Sequence, residues 1–131
     1  LNERQKNFNI HTKFLKKYTK YFILPKQLPN SKSGWLAYPI TIKNDAPFTR
    51  TEMQIFLERK NIQTRVVFTG NILRQPGFKN LKIKKDKKGY PEADKVMKNG
   101  ILIACHHGLN NKMINHIHKS IDKFIHSKLK L

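Results

Sequence analysis

The sequence contains a single cysteine, Cys105, in 131 residues. A lone thiol excludes an internal disulfide framework and a thiolate-built metal cluster within the chain, and it fits a reducing compartment. Acidic residues are scarce, with 8 Asp and Glu against 27 Lys and Arg, a formal net charge of +19. No apolar run approaches the roughly 18–20 residues of a membrane-crossing helix. The charged N-terminal stretch has no apolar core of a secretory signal. These absences predict a cytoplasmic protein with no membrane partner. Catalytic signatures are missing too. There is no Gly-x-Ser-x-Gly elbow, Walker loop, dinucleotide fingerprint or paired-carboxylate site. The chain does not read as a complete enzyme, and no catalytic residue is assigned.

Apolar clusters do recur along the whole chain, and aromatic residues make up 10% of it. That supports one packed domain, residues 1–131, and argues against disorder. Residues 3–23 read as a helix, because Phe8, His11, Leu15, Tyr18 and Phe22 follow three- and four-residue spacing. Pro25 and Pro29 close it. Residues 35–42 read as a strand, with Pro39 at an edge or bulge. The helix at 49–60 is the best marked. Thr49 and Glu52 have capping-box spacing, Phe48 and Met53 can staple its start, and Asn61 is a plausible stop. Residues 63–69 read as a second strand, 69–78 as irregular and 79–88 as an exposed basic loop. Pro91 suits the first turn of a helix that Gly100 ends. Residues 101–106 read as a third strand buried on both faces. Asn110 can cap a last helix, 111–128. The alternation predicts an α/β fold, a two-layer sandwich of a small three-stranded sheet with helices.

The stretch from Thr64 to Pro76 carries the most chemistry. Arg65, Asn71, Arg74 and Gln75 enter a loop bounded by Gly70 and Pro76. Arginine forks suit phosphate or carboxylate, and Asn and Gln suit sugar hydroxyls or a base edge. The competing reading is a surface loop with solvated arginines. His106 and His107 point to opposite faces of an extended chain, and His116 and His118 are two apart on a helix. Neither pair has metal-ligand spacing, so no metal is assigned. One histidine of the first pair suits the wall of a pocket at the strand's end. Cys105 lies in an apolar run, which makes a buried, inert thiol the default. The lysines are dispersed and accompany no nucleic-acid-binding motif. They predict at most nonspecific, salt-sensitive nucleic-acid binding. The chain opens at Leu1 and its first methionine is Met53, which predicts a piece of a longer protein.

Several of these segments together resemble a known family. Ser33-Gly34-Trp35-Leu36-Ala37-Tyr38-Pro39-Ile40-Thr41-Ile42, Thr64-Arg65 to Phe68, and Gly70-Asn71 with Arg74-Gln75-Pro76 and Phe78 are similar to the C-terminal domain of DegT/DnrJ/EryC1/StrS sugar-nucleotide enzymes. The Gly-Asn-x-x-Arg-Gln-Pro run resembles the CDP-4-keto-6-deoxyglucose 3-dehydrase branch, which acts in lipopolysaccharide biosynthesis. Cys105-His106-His107 departs from the family's usual run.

The resemblance implies the small domain of an aspartate-aminotransferase-like fold. Residues 1–24 would be a leading helix packed on a missing N-terminal cofactor domain. It implies a nucleotide-sugar substrate contacted by Arg74, Asn71, Gln75, Arg65 and His107. It also implies pyridoxamine or pyridoxal phosphate in the full-length enzyme, with an iron–sulfur cluster and a reductase partner in a 3-dehydrase, and a homodimer. Those groups would sit in the large domain, leaving this chain inactive alone. A sugar-nucleotide aminotransferase and a stand-alone basic nucleic-acid-binding domain are the alternatives.

Overall fold

A computed structural model describes residues 2–80, 82 and 86–129. The expected alternation is present, with one strand more. Helix α1 (Asn2–Leu15) tightens into a 3-10 turn (Lys16–Tyr18), and Phe22–Ile23 then form β1. β2 is Ala37–Ile42, α2 Arg50–Glu58, β3 Arg65–Val66, α3 Pro91–Asn99, β4 Gly100–Ala104 and α4 Asn111–Leu129. Two 3-10 turns, Ile72–Arg74 and Pro76–Phe78, fill the stretch read as irregular. Part of the basic loop read over 79–88, residues 81 and 83–85, lies outside the described residues.

The sheet is antiparallel, in the order β1-β2-β4-β3. It has four strands, not the expected three. The extra one comes from the end of the predicted first helix. Phe22 pairs with Ile42 and Ile23 with Thr41. Phe22 is buried, so sheet pairing takes a residue that helix periodicity also placed inside. β1 is only two residues long, so beside Pro39 the strand is paired on its β4 side alone, with Leu102. The missing proline N–H is tolerated at such a locally edge-like position.

β3 is shorter than the reading of 63–69. The Thr64 N–H is bound by the Glu58 carboxylate at 2.6 Å. At the other end Phe68 N–H turns back to the Val66 carbonyl at 2.8 Å. Only Arg65 and Val66 remain to pair, with Leu102 and Ile101. β4 is not buried on both faces as expected. Ile101 and Ile103 are buried, whereas Leu102 and Ala104 are only half-buried. Antiparallel sheets commonly keep one face open in this way.

Local signals place α2 and α4. The capping box is complete: Thr49 N–H reaches Glu52 Oε2 at 2.7 Å, and Glu52 N–H reaches Thr49 Oγ1 at 3.3 Å. Asn61, at φ 57, ends the turn after α2. The Asn110 side chain accepts from Met113 N–H at 2.9 Å at the start of α4. The core joins Tyr38, Ile40, Ile101 and Ile103 to Leu57, Ile121 and Phe124. The stripe of α1 and the 3-10 turn after it is buried in this same core, with Phe8, His11, Leu15 and Tyr18 all inside.

Candidate functional site

A groove of about 1510 Å³ opens where β3 stops short. Its floor is the half-buried side of the sheet, with Ala37, Pro39, Leu102 and Ala104. Trp35 and Leu36 form one wall, Arg65 to Phe68 another, and Met113 and His116 of α4 a third. Trp35 is held in place: it stacks on Phe8 at 4.1 Å, and its indole N–H donates to Gln27 at 2.8 Å. His116 Nε2 donates to the Lys60 carbonyl at 2.8 Å, which ties α4 to the turn before β3.

The β3 wall holds a backbone outlier. Phe68 has φ 46, in the left-handed region, and is 79% exposed. A bulky residue there costs of order 1–3 kcal/mol. Arg65, two residues behind Val67, is oriented by Gln63. With its amide oxygen facing the guanidinium, Gln63 accepts from both terminal nitrogens, at 2.8 and 3.3 Å. The Glu58 carboxyl is held below its usual range by the Thr64 N–H, then by the Thr64 hydroxyl, with the Arg65 charge adding to this.

Asn71, Arg74 and Gln75 form a second cluster, and none of them lines the groove. Arg74 grips Asp94 of α3 with two bonds, Nε to Oδ1 at 3.0 Å and a terminal nitrogen to Oδ2 at 2.8 Å. Asn71 is buried, donates to the same carboxylate at 2.8 Å and accepts from Leu73 N–H at 3.0 Å. Gln75 donates to the Thr69 carbonyl at 2.9 Å. The Asp94 carboxyl is pushed down by the Arg74 contact and then by Asn71. Gly70, at φ 63, lets the loop touch α3, where an added Cβ would lie 2.2 Å from Met97 Cβ.

The structure thus brings three of the five sequence-derived residues to a loop pinned on α3, and Arg65 to the groove. His107 is exposed beside His106, which lines the groove. Phe68, Gln63, Asp94 and His116 were not among the site residues expected from the sequence. Asp94 is 23 positions from Asn71, so no local spacing announces it. Phe68 had one readable cue, an aromatic residue two before a glycine at the end of a strand.

Among the described residues no cluster of three His, Cys, Asp or Glu side chains could hold a metal. The groove does not fit pyridoxal phosphate by itself. No carboxylate among the described residues lines it, and its lysines, Lys112 and Lys119, are exposed rather than desolvated. A Schiff-base lysine and a partner for the ring nitrogen are what that cofactor requires. Cys105 does not fit cluster ligation, since it is buried and burial pushes its thiol up to about 11.

The model of the DegT/DnrJ/EryC1/StrS aminotransferase family matches residues 1–122, and the chain belongs to that family. It is 28% identical over 124 residues to the lipopolysaccharide biosynthesis protein RfbH of Salmonella typhimurium, covering 95% of this chain and 28% of that protein. It is 34% identical over 109 residues to a dTDP-4-dehydro-2,6-dideoxy-D-glucose 3-dehydratase of Saccharopolyspora spinosa, covering 79% of this chain and 22% of that protein. The fold matches the E. coli GDP-4-keto-6-deoxy-D-mannose-3-dehydratase with bound hydrated PLP. The TM-score is 0.75 at 22% identity, over 91% of this chain and 30% of that one. The chain spans less than a third of the length of these relatives.

Proposed function

We propose that this chain is the C-terminal, substrate-covering domain of a sugar-nucleotide dehydrase of the CDP-4-keto-6-deoxyglucose 3-dehydrase type. The parent enzyme would act in deoxysugar and lipopolysaccharide O-antigen biosynthesis in the cytoplasm. Pyridoxamine phosphate chemistry, any iron–sulfur cluster, the reductase partner and the homodimer contact belong in this reading to the larger protein. Supporting it are the family membership, the names of two relatives and the Gly70-Asn71 to Gln75-Pro76 run. A sugar-nucleotide aminotransferase is the second reading, favoured by the same family membership. A histidine or a lysine at the cofactor position of the preceding coding sequence separates the two.

The observation that carries a ligand-facing role is Phe68. A bulky side chain held exposed in a strained conformation, next to an oriented guanidinium on a groove, contributes nothing to the fold that glycine would not. In this reading Phe68 presents its face to the sugar or base. Arg65 meets an anionic oxygen, and the Asn71–Arg74–Gln75 loop, with its remaining Arg74 N–H groups and His107, closes the outer rim.

The test is a titration of the 131-residue chain with a nucleoside diphosphate sugar, followed by NMR shifts. Binding is expected to be weak and centred on residues 63–68. Phe68→Gly should weaken it about tenfold while raising stability by about 1 kcal/mol. Unchanged binding in Phe68→Gly, or shifts centred elsewhere, would overturn the reading.

A further inference from the structure

Three contacts fasten the end of β4 to α1. Asn7 Nδ2 donates to the His106 carbonyl at 2.8 Å, and the Cys105 thiol lies 3.6 Å from the Arg4 carbonyl. The third runs through His11, which is fully buried and whose Nε2 lies 3.0 Å from the Ala104 carbonyl. Its other nitrogen, Nδ1, lies 3.0 Å from Nε2 of His118 on α4. His118 is stacked flat on Phe14 of α1, centroids 3.9 Å apart. One hydrogen-bonded relay therefore joins α1, β4 and α4.

The carbonyl decides where the protons sit. It only accepts, so His11 carries its proton on Nε2 and a neutral His11 has a bare Nδ1. That nitrogen accepts the N–H of His118. One added proton leaves an N–H between the two rings, with one imidazole still neutral. A second puts an N–H on each facing nitrogen, and no acceptor remains between them.

The surroundings do not compensate a second charge. From α1, Thr12 hydrogen-bonds Tyr38, and Lys17 of the following 3-10 turn lies over the Phe14 ring at 4.4 Å. From β2, the Tyr38 ring is 5.4 Å from His11. β4 supplies the Ala104 carbonyl and the Cys105 thiol. From α4, the Asp122 carboxylate acts on His118, with His126 beyond it. Asp122 is already engaged by Lys17 at 2.8 Å and by the Tyr18 hydroxyl.

We propose that the His11–His118 pair is an acid-sensitive latch that holds α1 to β4 and α4, keeps its grip with one proton added and opens on the second. This stands apart from what the groove binds. Burial pushes both imidazoles below the ordinary histidine value, His118 to about 4, with the neighbouring His11 adding to its shift. The unfolded chain binds protons near the ordinary value of 6.5 while the folded pair does not. Stability is therefore full above pH 6.5 and falls as the pH drops towards 4.

The experiment follows amide exchange of α1 and the ring 15N shifts of the 131-residue chain from pH 7 to pH 4. At pH 7 both rings should carry the proton on Nε2. Protection of α1, corrected for intrinsic exchange, should fall as the pH drops from 6.5 to 4, by up to about tenfold per pH unit for each titrating ring. His118→Gln keeps a donor towards His11 and removes one titration, so the fall should shrink at least tenfold over that range. A wild-type α1 whose protection ignores pH, or an unchanged fall in His118→Gln, would overturn the latch. So would ring shifts showing both imidazoles protonated while α1 stays protected. That last reading needs no variant and decides the matter even if the substitution prevents folding.

Discussion

Tyr38, Ile40, Ile101 and Ile103 are enclosed on the helix-covered side of the sheet, while Leu36, Val66, Phe68 and Met113 stand exposed around the groove. The same chain builds both regions from residues of similar hydrophobicity. On the covered side, α1, α2 and α4 supply aromatic contacts such as Phe124 with Phe48 at 5.0 Å and with Phe56 at 5.4 Å. Around the groove, β3 ends after two residues, at Val66. Exposed apolar residues gathered at one place mark a contact surface. The side that satisfies itself holds the fold, and the side that does not is left as an apolar contact surface.

Substitutions separate the two regions by the sign and size of their effect. Phe124→Ala removes a fully enclosed ring and should cost about 3–5 kcal/mol in urea unfolding. A loss below about 1 kcal/mol would mean that the covered side is not packed as described. Gly70→Ala places a Cβ against Met97 at φ 63. It should destabilise by about 1–3 kcal/mol, and calorimetry will read that as a lower Tm. Gly77→Ala has open space around its Cβ position and should leave the Tm nearly unchanged.

Thr49→Ala breaks the capping box and should cost about 1 kcal/mol. The Glu52 carboxyl is lowered to about 2 by Lys128 first and then by the Thr49 N–H and hydroxyl. A carboxyl depressed in the folded state stabilises above its unfolded value near 4.5, and that stability is lost as the pH falls towards 2. Thr49→Ala should flatten this acid limb, measured by urea midpoints, without touching the histidine limb between pH 6.5 and 4. Phe68→Gly, at about 1 kcal/mol, is the only effect of opposite sign. A destabilised Phe68→Gly would place Phe68 with the self-satisfied region instead.

The features read correctly in advance share a short range. The Thr49–Glu52 box, the Asn61 stop, Pro91 at the start of α3 and the Asn110 cap each join residues within a few positions. The geometry around the candidate groove was legible only in part for the matching reason. Arg65 and the Gly70 turn are visible as residue types in a loaded segment. The Asp94 carboxylate that takes up Arg74, and the position of Phe68 on a groove, depend on α3 and α4 arriving from elsewhere.

Sequence alone was enough for the existence of the helices, the starts of α2, α3 and α4 and the family run from Gly70 to Pro76. Backbone propensity, capping and periodicity act over one or two turns, and such forces can be read off the chain. Tertiary structure alone decided that Phe22 joins a sheet, that β3 stops after Val66, and that His11 meets His118 across 107 positions. Each of these is a contest between two locally acceptable states. Hydrogen bonds and burial supplied by distant segments settle it.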